Sequence, residues 1–145
     1  MTYQFTIDLG VRRCALADLL EALSASDIQL RAISLSGIGR RTSAVLMTNN
    51  DSATHDLLRA AHYRFSEGEV VITSVPDQPG ALAGLIRHLS QDGVVLHGMS
   101  LLRWHQGKAE LALSTDDPDR LRCLLSAHND GHIVNAGNLA ALRMN

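Results

Sequence analysis

Apolar and polar residues alternate from the third position of the chain. Tyr3, Phe5, Ile7 and Leu9 fall on one side, Gln4, Thr6 and Asp8 on the other. A period of two predicts a half-buried strand. The period then changes. Leu16, Leu19, Leu20 and Leu23 recur at helical spacing, the stripe of an amphipathic helix. A turn at Ser26-Asp27 leads to a second strand over 28–36, whose alternation slips near Ala32-Ile33, as a bulge would make it do. Gly37 and Gly39 mark a hairpin into a third strand, Thr42–Thr48. Asp51 then reads as the N-cap of a second helix over about 53–62.

The same series comes again. Displaced by 66 positions and without gaps, Ala15–Ser24 lies over Ala81–Ser90, and Asp27–Leu35 over Gly93–Leu101. Asp51, Leu58 and His62 lie over Asp117, Leu124 and His128. Leu82, Leu85, Ile86 and Leu89 repeat the helical stripe, the strand slip returns at Gly98-Met99, and Gly107 marks the second hairpin. The third strand is Ala109–Ser114, and Asp117 with Pro118 opens a helix over 119–128 that turns Leu121, Leu124 and Leu125 inward. The closing strand is short in copy one, around Tyr63–Ser66, and falls at Ile133–Ala136 in copy two. The expected plan is α+β: two ferredoxin-like βαββαβ units, residues 1–67 and 68–145, each an antiparallel sheet with helices on one face.

Composition narrows what such a chain does. Hydrophobic residues make up 46% and charged residues 19%, the balance of a globular domain with a core. A net charge of −2 and 3% aromatic residues argue against a nucleic-acid partner, which asks for a basic surface and rings to stack on. No apolar run is long enough to span a bilayer, so no membrane partner is expected. The first residues lack a basic stretch before an apolar one, so a signal peptide is not expected and the cytoplasm is. Cys14 and Cys123 are then expected as free, buried thiols, Cys14 packing as a small hydrophobe. His128 and His132 stand four apart, but Asp130-Gly131 interrupts the helix between them; a solvated helix end is expected, and no metal. Neither a catalytic constellation nor a cofactor is expected.

The most distinctive stretch joins a strand to a helix: Val75-Pro76-Asp77-Gln78-Pro79-Gly80. It is either a plain connector or a loop that holds something. The first amides of a helix have no internal partner and sit at the positive end of its dipole. A carboxylate suits them, and Asp77 suits an ammonium, so the pair matches a zwitterionic amino acid. Copy one joins the same elements with Val11, Arg12, Arg13 and Cys14 at the matching places. The connection therefore does not itself demand Asp, Pro and Gly.

Residues 69–97, with Asp77, Pro79, Gly80, Leu82, Leu85, Leu89 and Gly93 in order, resemble the opening of an ACT domain, a small amino-acid-sensing module. Asp117-Pro118-Asp119-Arg120-Leu121 resembles the start of that family's second helix. With copy one included, the chain resembles a stand-alone pair of ACT domains with no attached enzyme. The resemblance implies a non-catalytic regulatory protein that binds an amino acid or similar small ligand, and a homodimer. It implies ligand contacts from Asp77, Gln78, Pro79, Gly80, Ala81 and Leu82, facing Ala32, Ile33 and Ser34 of the other unit's second strand. A second site would pair Arg12, Arg13 and Cys14 with His97, Gly98 and Met99. Val95 stands where several relatives carry Asn or Gln. The alternative is a module that needs no ligand and acts on a metabolic enzyme by oligomerisation or contact.

Overall fold

The computed structural model describes residues 1–129. The chain divides into two compact units, Met1–Glu69 and Val70 onward. The first contains β1 (Thr2–Gly10), α1 (Ala15–Ala25), β2 (Leu30–Ile38), β3 (Arg41–Thr48) and α2 (Asp51–Ala60). The strand β4 (Arg64–Pro76) runs through the boundary. The second unit continues with α3 (Ala81–Gln91), β5 (Leu96–His105), β6 (Lys108–Thr115) and α4 (Pro118–Asn129). The expected closing strand at Ile133–Ala136 lies outside the described residues. The two strands expected at Tyr63–Ser66 and Glu69–Val75 are one continuous strand, because Gly68 keeps to extended backbone and no residue between them turns the chain.

In the first unit β3 is the middle strand, antiparallel to β1 on one side and β2 on the other. Phe5 opposes Leu46, Ile7 opposes Ala44, and all four are buried. These cross-strand pairs build one face. Leu19 and Leu23 of α1 and Leu58 of α2 close on that same face, so both helices share one core with it. Tyr3, Leu16, Leu20, Tyr63 and Phe65 pack at its margin. The Phe65 ring stands 6.2 Å from that of Phe5. The second unit repeats the arrangement. There β6 lies between β4 and β5. Val71, Val75, Leu111 and Leu113 meet Leu85 and Leu89 of α3 and Leu121 and Leu125 of α4.

Local chemistry departs from expectation in four places. The cap of α2 is Asn50, not Asp51: its side chain accepts from the Ala53 amide at 3.0 Å, while Asp51 Oδ2 accepts from the Tyr3 amide at 3.2 Å. In α4 the expected cap does hold, with Asp117 Oδ1 accepting from the Arg120 amide at 3.0 Å. Gly37 lies inside β2; the hairpin turn is Gly39-Arg40, with Gly39 at φ 61°. The bulges fall one residue earlier than the alternation suggested, at Arg31 and His97, and β5 carries a second at Leu102. Both cysteines are free but exposed rather than buried. Cys14 precedes α1 in the open first loop, and Cys123 lies on the outer side of α4, opposite the buried Leu121 and Leu125.

The thinner helix cover over an edge strand predicts an asymmetry within a single cross-strand pair. Leu113 is fully buried, while its partner Met99 is exposed on the edge strand. Leu113→Ala should destabilise the second unit by ~2–5 kcal/mol, as core truncations do. Met99→Ala should cost less than ~1 kcal/mol. Urea unfolding followed by circular dichroism measures both.

Candidate functional site

The loop from Asp77 to Gly80 connects β4 to α3 and is exposed throughout. Its shape comes from backbone. The Asp77 amide donates to the Gly107 carbonyl at 2.8 Å, tying the loop to the β5–β6 hairpin. That hairpin is a two-residue turn in which Gln106 and Gly107 both have positive φ, 50° and 72°, the form whose twist matches the strands it joins. Gly80, at φ 87°, is the N-cap of α3. A side chain there would meet no atom within 4 Å, so glycine is demanded by the backbone and not by crowding.

The start of α3 is unlike those of the other described helices. Gly80 offers no side-chain cap, and the first turn holds no acid. By contrast α2 has Asn50 and Asp51, α4 has Asp117 and Asp119, and α1 has Asp18. In α3 the Ala81 amide reaches Gln78 O and the Gly84 amide reaches Gly80 O. The Leu82 and Ala83 amides find no acceptor among the described residues. They are two oriented donors at the positive end of a helix dipole. The Asp77 carboxylate, just upstream, carries no partner among the described residues either. Ala81 and Leu82 are half-buried and pack against the core, which anchors the helix start.

The matching loop of the first unit is built differently. Gly10 takes φ 63° and its amide donates to Asp8 Oδ1 at 2.8 Å. The Arg41 guanidinium donates to Asp8 Oδ2 at 2.5 Å. The Gly10 amide first, then Arg41, hold the Asp8 carboxyl below the ordinary carboxylate range; Arg64 adds to the effect and partial burial opposes it. Arg12 does not simply oppose the dipole of α1, because it pairs at 2.6 Å with Asp18 in the first turn. Arg13 and Cys14 are exposed beside it.

The strand residues sit as follows. In β2, Ile33 opposes Leu46 on the helix-covered face, while Ala32 and Ser34 oppose Met47 and Val45 on the other. The three expected contacts therefore do not share one face. In β5, Met99 opposes Leu113 on the helix-covered face. His97 occupies the bulge, and its Nε2 lies 2.8 Å from Asp116 Oδ1 while the side chain stays exposed to solvent. Val95 is exposed just before β5. His128 packs its ring against that of His88, 5.6 Å apart, and His132 lies outside the described residues. Among the described residues no three His, Cys, Asp or Glu side chains come together as a metal site would require, and no helix is long and apolar enough to cross a membrane. Sequence reasoning missed the Gly107 carbonyl that fixes Asp77. The adjacent Gln106-Gly107 pair was the available signal, since two such residues between alternating strands mark a tight turn.

These features define a class of fold: antiparallel strands with helices packed on one face, in the ferredoxin-like order. Solved structures share it over nearly the whole chain. Protein BT0572 from Bacteroides thetaiotaomicron matches with a TM-score of 0.80 and 22% identity, over 89% of this chain and 90% of that one. The regulatory subunit of aspartate kinase from Thermus thermophilus, in its ligand-free form, matches with a TM-score of 0.65 and 10% identity, over 88% and 90%. The corresponding subunit from Thermus flavus gives 0.64 and 10%, over 89% and 93%. At such identities the likeness is one of fold. No protein-family pattern and none of the curated proteins matches the sequence.

Two outcomes follow from the loops. Gly80→Ala should destabilise the second unit by ~1–2 kcal/mol through left-handed backbone strain, without disturbing neighbours; thermal unfolding reads it. Asp8, its folded pKa lowered, contributes stability at pH above its unfolded value near ~3.9 and loses it as pH falls through the folded value. Carboxyl NMR titration of Arg41→Gln should show the Asp8 pKa rising, while the Gly10 amide keeps it below the ordinary range.

Proposed function

We propose that this chain is a non-catalytic regulatory protein, built from two tandem ACT-like βαββαβ units, that binds an amino acid or a closely similar small zwitterion. The observation that carries the reading is the start of α3. Among the described residues, two amide donors without acceptors and an unpartnered Asp77 carboxylate flank a glycine in the left-handed region. A ligand carboxylate accepts from the amides, and its ammonium meets Asp77. Regulatory subunits of aspartate kinase share the fold, which agrees with a sensing role.

The ligand in this reading sits between the Asp77–Leu82 loop of one unit and the second strand of another, near Ala32, Ile33 and Ser34. The edge strands supply the means of bringing units together. Ile33, Leu35 and Ile38 of β2, and Met99, Leu101 and Trp104 of β5, are exposed apolar residues at identical spacing in the repeat. An unpaired strand edge bearing such a row is a template for pairing with another chain. A homodimer formed along these edges in the cytoplasm completes the proposal. The exposed first loop of the first unit, without Asp, Pro or Gly at the matching places, favours the second reading there: contact with a partner and no bound amino acid.

Isothermal titration against the twenty amino acids tests the main reading. A true ligand at a hundred times its Kd should stabilise the protein by ~2.7 kcal/mol in a parallel thermal scan, and Asp77→Ala should abolish that gain. No heat and no thermal shift with any of the twenty at millimolar concentration would refute it. Ile33→Lys with Leu35→Lys should reduce the sedimenting mass if β2 is the pairing edge.

A further inference from the structure

The open end of the first unit gathers more positive charge than that of its repeat, where Lys108 alone holds a matching place, that of Arg41. Arg12 and Arg13 stand in the loop after β1, and Arg40 and Arg41 in the β2–β3 hairpin. The two segments are neighbours: Gly10 opposes Thr42, and Asp8 bridges them by accepting from both the Gly10 amide and Arg41. Arg64 of β4 acts on the same Asp8 carboxylate. Five of the chain's 13 lysine and arginine residues thus serve one rim, in a chain whose net charge is −2. Asp8 and Asp18 are the carboxylates that answer them, in the Arg41 and Arg12 pairs. Arg13 and Arg40 have no partner among the described residues. In the second unit the places of Arg12 and Arg13 hold Gln78 and Pro79, and the turn place of Arg40 holds Gly107. The turn and the loop need no arginine to form, so their charge is not a requirement of folding.

Apolar side chains stand among these arginines. Val11 is 65% exposed and Ile38 88% exposed, the latter closing the hairpin opposite Arg41. We propose that this rim, Arg12, Arg13, Arg40 and Arg41 with Val11 and Ile38, is a docking surface for an acidic segment of a partner protein that alternates carboxylates with apolar residues. Guanidinium groups present a planar fork that matches carboxylates, and two of the four already hold one from this chain. An anion small enough for one fork leaves the second free arginine and both apolar side chains unused. A nucleic acid would look for aromatic side chains to stack on, and these rim segments contribute none. The proposal does not rest on amino-acid binding in the second unit.

The test uses the full chain and a fluorescein-labelled peptide of four Glu-Glu-Leu repeats, followed by anisotropy. The wild type should bind, and binding should weaken by at least ~10-fold between about 50 mM and 300 mM salt, because exposed charges are screened over a Debye length. Arg13→Glu with Arg40→Glu should weaken binding by at least ~10-fold. Both residues are free of the Asp8 and Asp18 pairs, so circular dichroism should show the fold retained. Arg59→Glu on α2 and Arg87→Glu on α3 should each leave binding within ~2-fold. Absence of binding at low salt, equal loss in the control variants, no loss in the double reversal, or tighter binding of a short oligothymidylate than of the peptide would each overturn the proposal.

Discussion

Helix cover over one face of the strands is the constraint on which the rest depends. In each unit the helices cover the face built by alternate residues of the strands, and the middle strand carries the deepest part of that face. Ala44 and Leu46 do this in β3, Leu111 and Leu113 in β6. A strand beside the middle strand but beyond the reach of the helices inherits the same alternation with less cover. That is why Ile33 and Leu35, which oppose fully buried Leu46 and Ala44, are themselves exposed. The pleat dictates where apolar side chains point; the helices decide which of them water reaches. An edge strand with apolar residues on its covered face is thus a direct outcome of the architecture.

Much of this was legible in the chain. The alternation of Phe5, Ile7 and Leu9 and the helical spacing of Leu19 and Leu23 located core positions, because burial of one face leaves a periodic trace. The repeat showed that the arrangement recurs. What periodicity could not show was how backbone groups are satisfied. Asn50 rather than Asp51 caps α2 because the chain enters the helix one residue earlier than the acid suggested, leaving Asp51 to receive the Tyr3 amide. The continuity of β4 was hidden for a related reason. A glycine reads as a break in sequence, yet an extended glycine without a turn partner interrupts nothing. Cys14 read as a packing residue because cysteines are often buried; the loop that holds it carries Arg12 and Arg13 just before it and stays in solvent.

At the candidate site the sequence supplied residue types but not their contacts. Asp77, Pro79 and Gly80 marked the loop, and the arginines of the first copy marked its divergence. The tie to Gly107 and the missing cap of α3 are properties of conformation, visible only once the carbonyl and the amides have positions. The two copies keep one scaffold and differ at its rim: the second presents free amides beside a carboxylate, the first a row of guanidinium groups. A scaffold set by buried periodicity leaves its loops free to differ in chemistry, since their exposed side chains contribute little to the core.

Three residues of the second unit's rim, Gly80, Gln106 and Gly107, hold left-handed backbone, and one hydrogen bond links the two turns that contain them. Such angles are a small part of what an unfolded chain samples, and glycine gives up more freedom than any other residue in adopting them. That loss of entropy is borne when the unit folds, not when something docks against it. A rim stiffened in this way greets any visitor with its donors already aimed, so the visitor's own rigidity, more than the protein's, sets how much disorder the encounter removes.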